Sequence, residues 1–324
     1  VEKFGNMPEG IKINESFGTV RLLIDNKEID IASTRDEMYE QKGHLPTVYD
    51  IGCDLKKDVL RRDFTINTLA KSTYNGKIVD YVNGIQDIKN KTLKVLHDNS
   101  FIDDPTRIVR GLKFAVRFNF ELDEHTKMLQ DRYLNNINYD MSYKRLKKEL
   151  IETFNLNKQE AFNRYIDQKI YKLIGNTELK PFNTNIESLI KKYPVENIWL
   201  VYVGWHDEIE NLPLTKEENK IIDDYNELIK KNIPDDNYSI YKAFESKSKE
   251  SILLYTISTN SNYGLKFFDI CNIKPEINGE DLKNMGIPPS KEYTQCFDYI
   301  LKHKLNKPDM TKQDEIQLAE KFFR

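Results

Sequence analysis

Hydrophobic and polar positions alternate along two short runs near the start of the chain, Thr19-Val20-Arg21-Leu22-Leu23-Ile24 and Glu28-Ile29-Asp30-Ile31-Ala32-Ser33. A period of two sends successive side chains to opposite faces of a strand. With Asp25-Asn26-Lys27 as a polar turn, the runs predict a hairpin within β structure over residues 11–34. Ahead of it, Val1-Glu2-Lys3-Phe4 reads as the last turn of a helix. Residues 40–57, punctuated by Gly43, Pro46 and Gly52, predict an ordered but irregular loop. The stretch from Asp58 to Ala70 opens on charge and turns apolar, which predicts a helix. Lys77 to Tyr81 predicts a short strand, and Ile85 to Lys89 a helical turn.

From Asp103 onward the pattern is helical. Asp104 reads as an N-cap with Pro105 at the first helical position. At roughly 100° per residue, Arg107, Arg110, Lys113 and Arg117 share one arc of this helix. Ile108, Val109, Leu112, Ala115 and Val116 fall opposite and read as core. Breaks near Gly175 to Pro181 and at Leu212-Pro213 divide the remaining helices. The pattern therefore predicts an α+β protein with a small head over 1–96, a helical neck over 97–175, and a helical body and tail over 176–324.

Composition narrows the class. A chain of 324 residues with 31% charged residues and net charge −3 has no global basic signature, so any nucleic-acid contact must come from local patches. Cys53, Cys271 and Cys296 are too few and too scattered for a disulfide framework, which suits the reducing cytoplasm. No apolar run approaches the roughly 20 residues that span a bilayer. The five histidines lack ligand spacing, so zinc is not expected. The first residue is valine and the chain starts within an apparent element, which predicts a fragment without its N-terminal segment.

Two strings carry candidate chemistry, Arg61-Arg62-Asp63-Phe64-Thr65-Ile66-Asn67 and Asp103-Asp104-Pro105-Thr106-Arg107-Ile108-Val109-Arg110. Arginine forks grip phosphate oxygens or the acceptor edge of a base, and aspartate accepts from sugar hydroxyls or an exocyclic amine. Such pairing can hold a nucleotide from two ends. On a helix, adjacent arginines point about 100° apart, so only one of Arg61 and Arg62 would face a shared site. An N-capping Asp104 would keep one oxygen free beside Arg107, one turn on. The bland alternatives stay open at this point: a solvated charged first turn, and an amphipathic helix with a basic outer stripe. Asp30 on its alternating strand fits either a metal-facing carboxylate or a solvated one. Ser142 to Glu149 is a basic helix start whose Lys144 and Arg145 suit an RNA backbone or plain solvent.

Together these strings resemble the class II tRNA nucleotidyltransferase and bacterial poly(A) polymerase family, of the polymerase-β-like superfamily. Phe17-Gly18-Thr19-Val20 with Glu28 to Arg35 and Tyr39 is similar to its strand pair, with the third acidic position at Asp30. Asp58 to Asn67 resembles its RRDFTIN motif, and Asp103 to Arg107 stands where it has EDxxR, with Asp103 replacing glutamate. Ser142 to Glu149 resembles the neck motif, and Asn278 to Leu282 with Met285 to Pro288 a tail element, which predicts an intact C-terminus. The resemblance implies template-independent addition of CMP and AMP from CTP and ATP to the 3′ end of tRNA. Poly(A) polymerase, a CC- or A-adding enzyme and a non-catalytic RNA-binding paralogue are the alternatives. It implies that Asp104 and Arg107 read the base, that Arg62 holds the triphosphate, that Asp63 and Asn67 hold the ribose, and that Arg110 and Lys113 face the nucleotide. Lys113 departs from the family's arginine. Magnesium would sit mainly on a DxD carboxylate pair absent from this sequence, with Asp30 helping, so the chain is expected to be inactive by itself.

Overall fold

The computed structural model describes residues 11–24, 27–137, 141–176 and 184–324. The expected helix end at Val1 to Phe4, the turn at Asp25-Asn26 and most of the break at Gly175 to Pro181 lie outside them. The chain divides into two compact units, residues 1–179 with 206–213, and residues 180–205 with 214–324.

The first unit opens with an antiparallel sheet, β1 (Lys12–Asn14), β2 (Thr19–Ile24) and β3 (Lys27–Ala32), in that order. β2 and β3 form the expected hairpin strands, with Arg21 opposite Asp30. All six residues of β3 are exposed. The expected irregular loop is partly regular. β4 (Arg35–Met38) pairs with β5 (Thr47–Ile51) across a bulge at Asp36/Glu37. Next comes α1 (Leu55–Leu60), capped by Asp54, whose carboxylate accepts from the Lys56 N–H at 2.7 Å.

The expected helix over Asp58 to Ala70 stops at Leu60. Phe64 is extended and bridges to Val95, the Thr65 N–H donates to the Lys94 carbonyl at 2.9 Å, and only Thr65–Asn67 form a 3-10 turn. Tertiary pairing overrides the local pattern here. The Phe64 ring is fully buried against Gly111, where a Cβ would come within 3.0 Å of it. β6 (Ala70–Lys71) and β7 (Ile78–Val79) make a two-residue ladder, followed by α2 (Gly84–Lys89), β8 (Thr92–Leu93) and α3 (Ser100–Asp103).

The amphipathic stretch forms α4 (Thr106–Phe118), one residue later than expected, with Pro105 as N-cap. Ile108, Val109, Leu112 and Ala115 are core, and Asn119 ends the helix in the left-handed region at φ 55°. β9 (Glu121–Leu122) runs parallel to β8, a strand where only helix was expected. α5 (Glu124–Leu134), α6 (Tyr143–Phe154) and α7 (Gln159–Asp167) complete the unit, with α6 and α7 both packed on α4.

The second unit is helical: α8 (Ile186–Lys192), α9 (Ile198–Val203), α10 (Lys216–Lys230), α11 (Asn237–Phe244), α12 (Lys249–Thr259), α13 (Tyr263–Ile270), α14 (Gly279–Asn284), α15 (Glu292–Lys304) and α16 (Lys312–Phe323). Trp199, Tyr202, Phe244 and Leu254 are in its core. Asn278 closes a capping box with Asp281 at the start of α14, and Leu282 packs with Cys296, Ile300 and Ala319. None of the described helices is long and apolar enough to cross a membrane.

Candidate functional site

α1 ends on two arginines, and one turn earlier lies the carboxylate that fixes both. Asp58 is 2% exposed. Its Oδ1 accepts from Arg61 Nε at 3.0 Å and Nη2 at 2.6 Å, and its Oδ2 from Arg62 Nε at 3.2 Å and Nη2 at 2.7 Å. Burial pushes the Asp58 carboxyl up, but hydrogen bonds from Arg62 and Arg61 outweigh it and hold the group below the usual carboxylate range. Arg62 Nη1 also donates to the Asn67 carbonyl at 3.0 Å, and Arg61 Nη1 to Glu37 Oε2 at 2.9 Å. Because the helix has already ended, both arginines reach one site. The expectation that only one could do so assumed a continuing helix and is corrected.

Asp63 is buried and organises the next layer. Its Oδ1 accepts from the Phe64 N–H at 2.8 Å and Asn67 Nδ2 at 2.9 Å, and its Oδ2 from Arg110 Nε at 2.8 Å. Burial raises its carboxyl, but Arg110 and Asn67 reverse the shift and hold it low. Burial likewise opposes the Arg110 cation, yet Asp63 and Glu149 raise its affinity for the proton above the usual guanidinium value. Asn67 therefore stands beside Asp63 through a turn rather than through helical spacing.

At the start of α4, Asp104 is 4% exposed and Arg107 3%. Asp104 Oδ1 accepts from the Thr106 N–H at 3.2 Å and Oγ1 at 2.6 Å, which is the capping role in all but name. Its other oxygen is not free as expected, because Arg145 Nη2 donates to it. Arg107 donates to Ser100 Oγ at 2.8 Å, to the Arg61 carbonyl at 2.9 Å and to the Tyr39 hydroxyl at 3.3 Å, and lies 5.7 Å from the Tyr39 ring centre.

These groups line a cleft of about 590 Å³ within the first unit. Arg62, Asp63, Asn67, Asp104, Arg107 and Arg110 all face it, joined by Arg35, Glu37, Tyr39, Arg61, Phe114 and Arg145. Six arginines meet three carboxylates (Glu37, Asp63, Asp104) in that lining, so the cleft carries a positive excess suited to an anionic ligand. The aromatic rings of Tyr39 and Phe114 add flat apolar surface.

Three expected site residues lie elsewhere. Lys113 is turned away from the cleft, 8% exposed, with its Nζ donating to Glu149 at 2.7 Å and Glu152 at 2.6 Å. It braces α4 against α6 instead of facing a nucleotide. Asp30 lies outside the cleft lining, 63% exposed at its side chain, and takes Arg21 Nε at 2.7 Å and Nη2 at 3.0 Å. That hydrogen-bonded cation holds its carboxyl low. Lys144 is exposed, but its neighbour Arg145 turns inward to Asp104 and to the His44 carbonyl at 3.1 Å. Of the two residues expected to contact RNA, Lys144 thus faces solvent and Arg145 the cleft, since adjacent helical residues diverge.

Sequence reasoning missed Asp58, Glu37 and Glu149. Asp58 had a signal, since an acid three and four residues before two arginines can pair with both. Glu149 with Glu152 repeats the three-residue spacing of Arg110 with Lys113, which is how two packed helices match charges. Among the described residues no group of three or more His, Cys, Asp and Glu is placed to hold a metal ion. With Asp30 already paired to Arg21, the donor set present does not fit the magnesium pair implied by the resemblance.

The cleft thus joins a small α+β head to the helices that follow it. Residues 3–94 match the Poly A polymerase head domain. An A-adding tRNA nucleotidyltransferase of Geobacter sulfurreducens is 28% identical over 95% of this chain and 40% of its own length. A protein of the same name from Halalkalibacterium halodurans is 27% identical over 97% of this chain and 79% of its own. A solved structure of a CCA-adding enzyme in an apo form superposes with TM-score 0.75 at 25% identity, covering 97% of this chain and 82% of the other. Over nearly its whole length the chain is thus similar to A-adding and CCA-adding tRNA nucleotidyltransferases, and its residues 3–94 carry the Poly A polymerase head. It spans less than half the length of the Geobacter relative.

Proposed function

We propose that the cleft takes a nucleoside triphosphate and that the protein adds AMP or CMP to the 3′ end of tRNA without a nucleic-acid template. The observation that carries this reading is the meeting of Arg62, Asp63, Asn67, Asp104 and Arg107 in one cationic cleft. Arg62, with 41% of its side chain exposed, has the freest guanidinium surface of the Asp58 clamp and takes the phosphates. Asp63 fixes Asn67 and Arg110 around the ribose. Asp104 as acceptor and Arg107 as donor meet the base edge; cytosine and adenine offer an amino group beside a ring nitrogen, whereas uracil and guanine present a carbonyl where Asp104 needs a donor. The rejected bases leave a buried carboxylate facing an oxygen, which costs more than a missing contact.

The helices of residues 97–175 and 176–324 serve as neck and as body and tail for tRNA, through phosphate contacts at local patches such as Lys144. The three cysteines are free thiols, which supports a cytoplasmic setting. A divalent metal, magnesium by the resemblance, neutralises charge on the triphosphate in this chemistry. Among the described residues no donor set gathers one. We therefore read the 324-residue chain by itself as binding nucleotide without completing transfer. Addition of AMP alone is the favoured variant of the reading, because the Geobacter and Halalkalibacterium relatives, each matching over 95% or more of this chain, carry the A-adding name.

One experiment separates these parts. The chain is titrated with ATP, CTP, GTP and UTP, then incubated with magnesium, labelled ATP or CTP, and tRNA lacking A or the whole CCA end. Binding of ATP and CTP above GTP and UTP is expected, with no label transferred. Equal binding of all four removes the base-reading role, and label transfer by the chain alone refutes the inactivity.

A further inference from the structure

The two members of the base-reading pair are held in different ways. Arg107 is fixed by the buried Ser100 and by Tyr39 and the Arg61 carbonyl, half-buried groups at the cleft wall. Asp104 spends one oxygen on Thr106 and gives the other to Arg145, a cleft-lining side chain with 26% of its surface exposed. The atom that a base amino group would use is thus already occupied by a guanidinium N–H, which offers the same donor.

We infer that Arg145 is a specificity-determining residue, an internal stand-in for the base whose guanidinium the amino group of adenine or cytosine must displace from Asp104. The inference rests on the proposed nucleotide reading of the cleft. The guanidinium has a second anchor, because Arg145 Nη1 donates to the His44 carbonyl at 3.1 Å. His44 follows Gly43, whose N–H donates to the Asp103 carbonyl and whose carbonyl accepts from the Ser142 N–H, each at 3.0 Å. A stretch between β4 and β5 therefore ties the end of α3 to the start of α6, with Arg145 at the knot. Displacing it from Asp104 leaves the His44 contact as its resting place. Only a ligand that brings its own donor repays the broken ion pair, so a base with a carbonyl at that position is refused twice: it repels Asp104 and fails to release Arg145.

The test compares dissociation constants for ATP and for purine riboside triphosphate, which lacks only the 6-amino group, with wild type, Arg145→Met and Arg145→Gln. The ratio of the two constants isolates the amino group and cancels the general loss of a cation near the phosphates. Removing the competitor raises the preference for ATP by about tenfold or more, the worth of one charge-assisted hydrogen bond no longer broken on binding. Gln, which can donate one neutral hydrogen bond to Asp104, gives a smaller rise. If Met fails to fold by circular dichroism, the Gln ratio decides alone. A ratio unchanged or lowered in the folded variant, with ATP binding still weakened by Arg62→Ala, overturns the inference and leaves the nucleotide reading standing. ATP binding indifferent to Arg62→Ala overturns both.

Discussion

Replacing Asp58 by Asn tests the clamp at its hinge. The carboxylate receives four guanidinium N–H contacts at 2.6–3.2 Å and the Arg35 N–H at 3.2 Å. An amide keeps one acceptor oxygen and loses the charge, so at most one arginine stays paired in the same manner. Breaking a buried pair from one side costs about 3–5 kcal/mol. Arg61 is 17% and Arg62 41% exposed at their side chains, so water screens part of that and about 3 kcal/mol is the working figure. At about 2–4 °C per kcal/mol for a unit of this size, the melting temperature falls by about 6–12 °C. Both arginines also lose their orientation toward the cleft, and affinity for ATP drops by about tenfold or more. The sign with pH follows from the depressed carboxyl. The unfolded chain binds that proton more readily, so the clamp contributes fully above the ordinary carboxylate range and its contribution is lost as pH falls through and below about 4. Asp58→Asn should flatten that acid limb. Melting followed between pH 3 and 7, together with ATP titration at neutral pH, reads both effects. A melting temperature within about 1 °C of wild type with unchanged ATP affinity would refute the clamp as the organiser of the cleft.

Three further outcomes are expected. Arg107→Ala should cut the preference for ATP and CTP over GTP and UTP by about tenfold or more in competition binding, while tRNA binding is kept; unchanged selectivity removes Arg107 from base reading. Lys113→Met should cost about 2–3 kcal/mol in urea unfolding, because Glu149 and Glu152 lose their shared cation, yet leave the ATP-to-GTP binding ratio where it was; a shifted ratio would return Lys113 to the nucleotide. His206, buried with its Nε2 3.0 Å from the Tyr165 hydroxyl, is pushed down to about 3 by burial. The unfolded chain therefore takes up this proton first, and stability should fall by a few kcal/mol as pH drops from about 6.5 toward 3. A urea series on His206→Gln that shows the same slope across that window would exclude this source.

Much of the frame was legible. Alternation located the strands on either side of Asp25-Asn26, and the wide apolar arc of Ile108, Val109, Leu112 and Ala115 located α4. The misses share a cause, which is long-range pairing of charge. β4 is Arg35-Asp36-Glu37-Met38, a strand with almost no apolar residue, held by β5 and by Arg61 crossing from α1. No pattern of hydrophobicity marks such a strand. Phe64 carried a helical spacing with its neighbours, but a bridge to Val95 and a pocket against Gly111 outweighed it. Arg145 looked like one more surface cation because its partner, Asp104, is 41 residues away.

The same pairing explains why the four cations of α4 mislead when taken by themselves. Arg107 and Lys113 are almost fully buried and Arg110 keeps only 34% of its side chain exposed, so along that arc only Arg117 is fully solvated. Each buried cation needs a counter-charge or a fan of acceptors within reach, or burial would cost several kcal/mol. The acceptors come from Asp63, Glu149, Glu152, Ser100 and a backbone carbonyl, all outside α4. Such a helix fixes the direction of each guanidinium before any ligand arrives. Orientation set in advance spares the ordering entropy that a free arginine loses on binding. Arginine suits this role better than lysine, because its planar fork can be held on one edge while the other stays open to a ligand, whereas an ammonium held by two carboxylates has little left to offer. Lys113 follows that rule. It stands where the resemblance implied a nucleotide-facing arginine, and with Glu149 and Glu152 both engaged it serves the fold instead of the cleft.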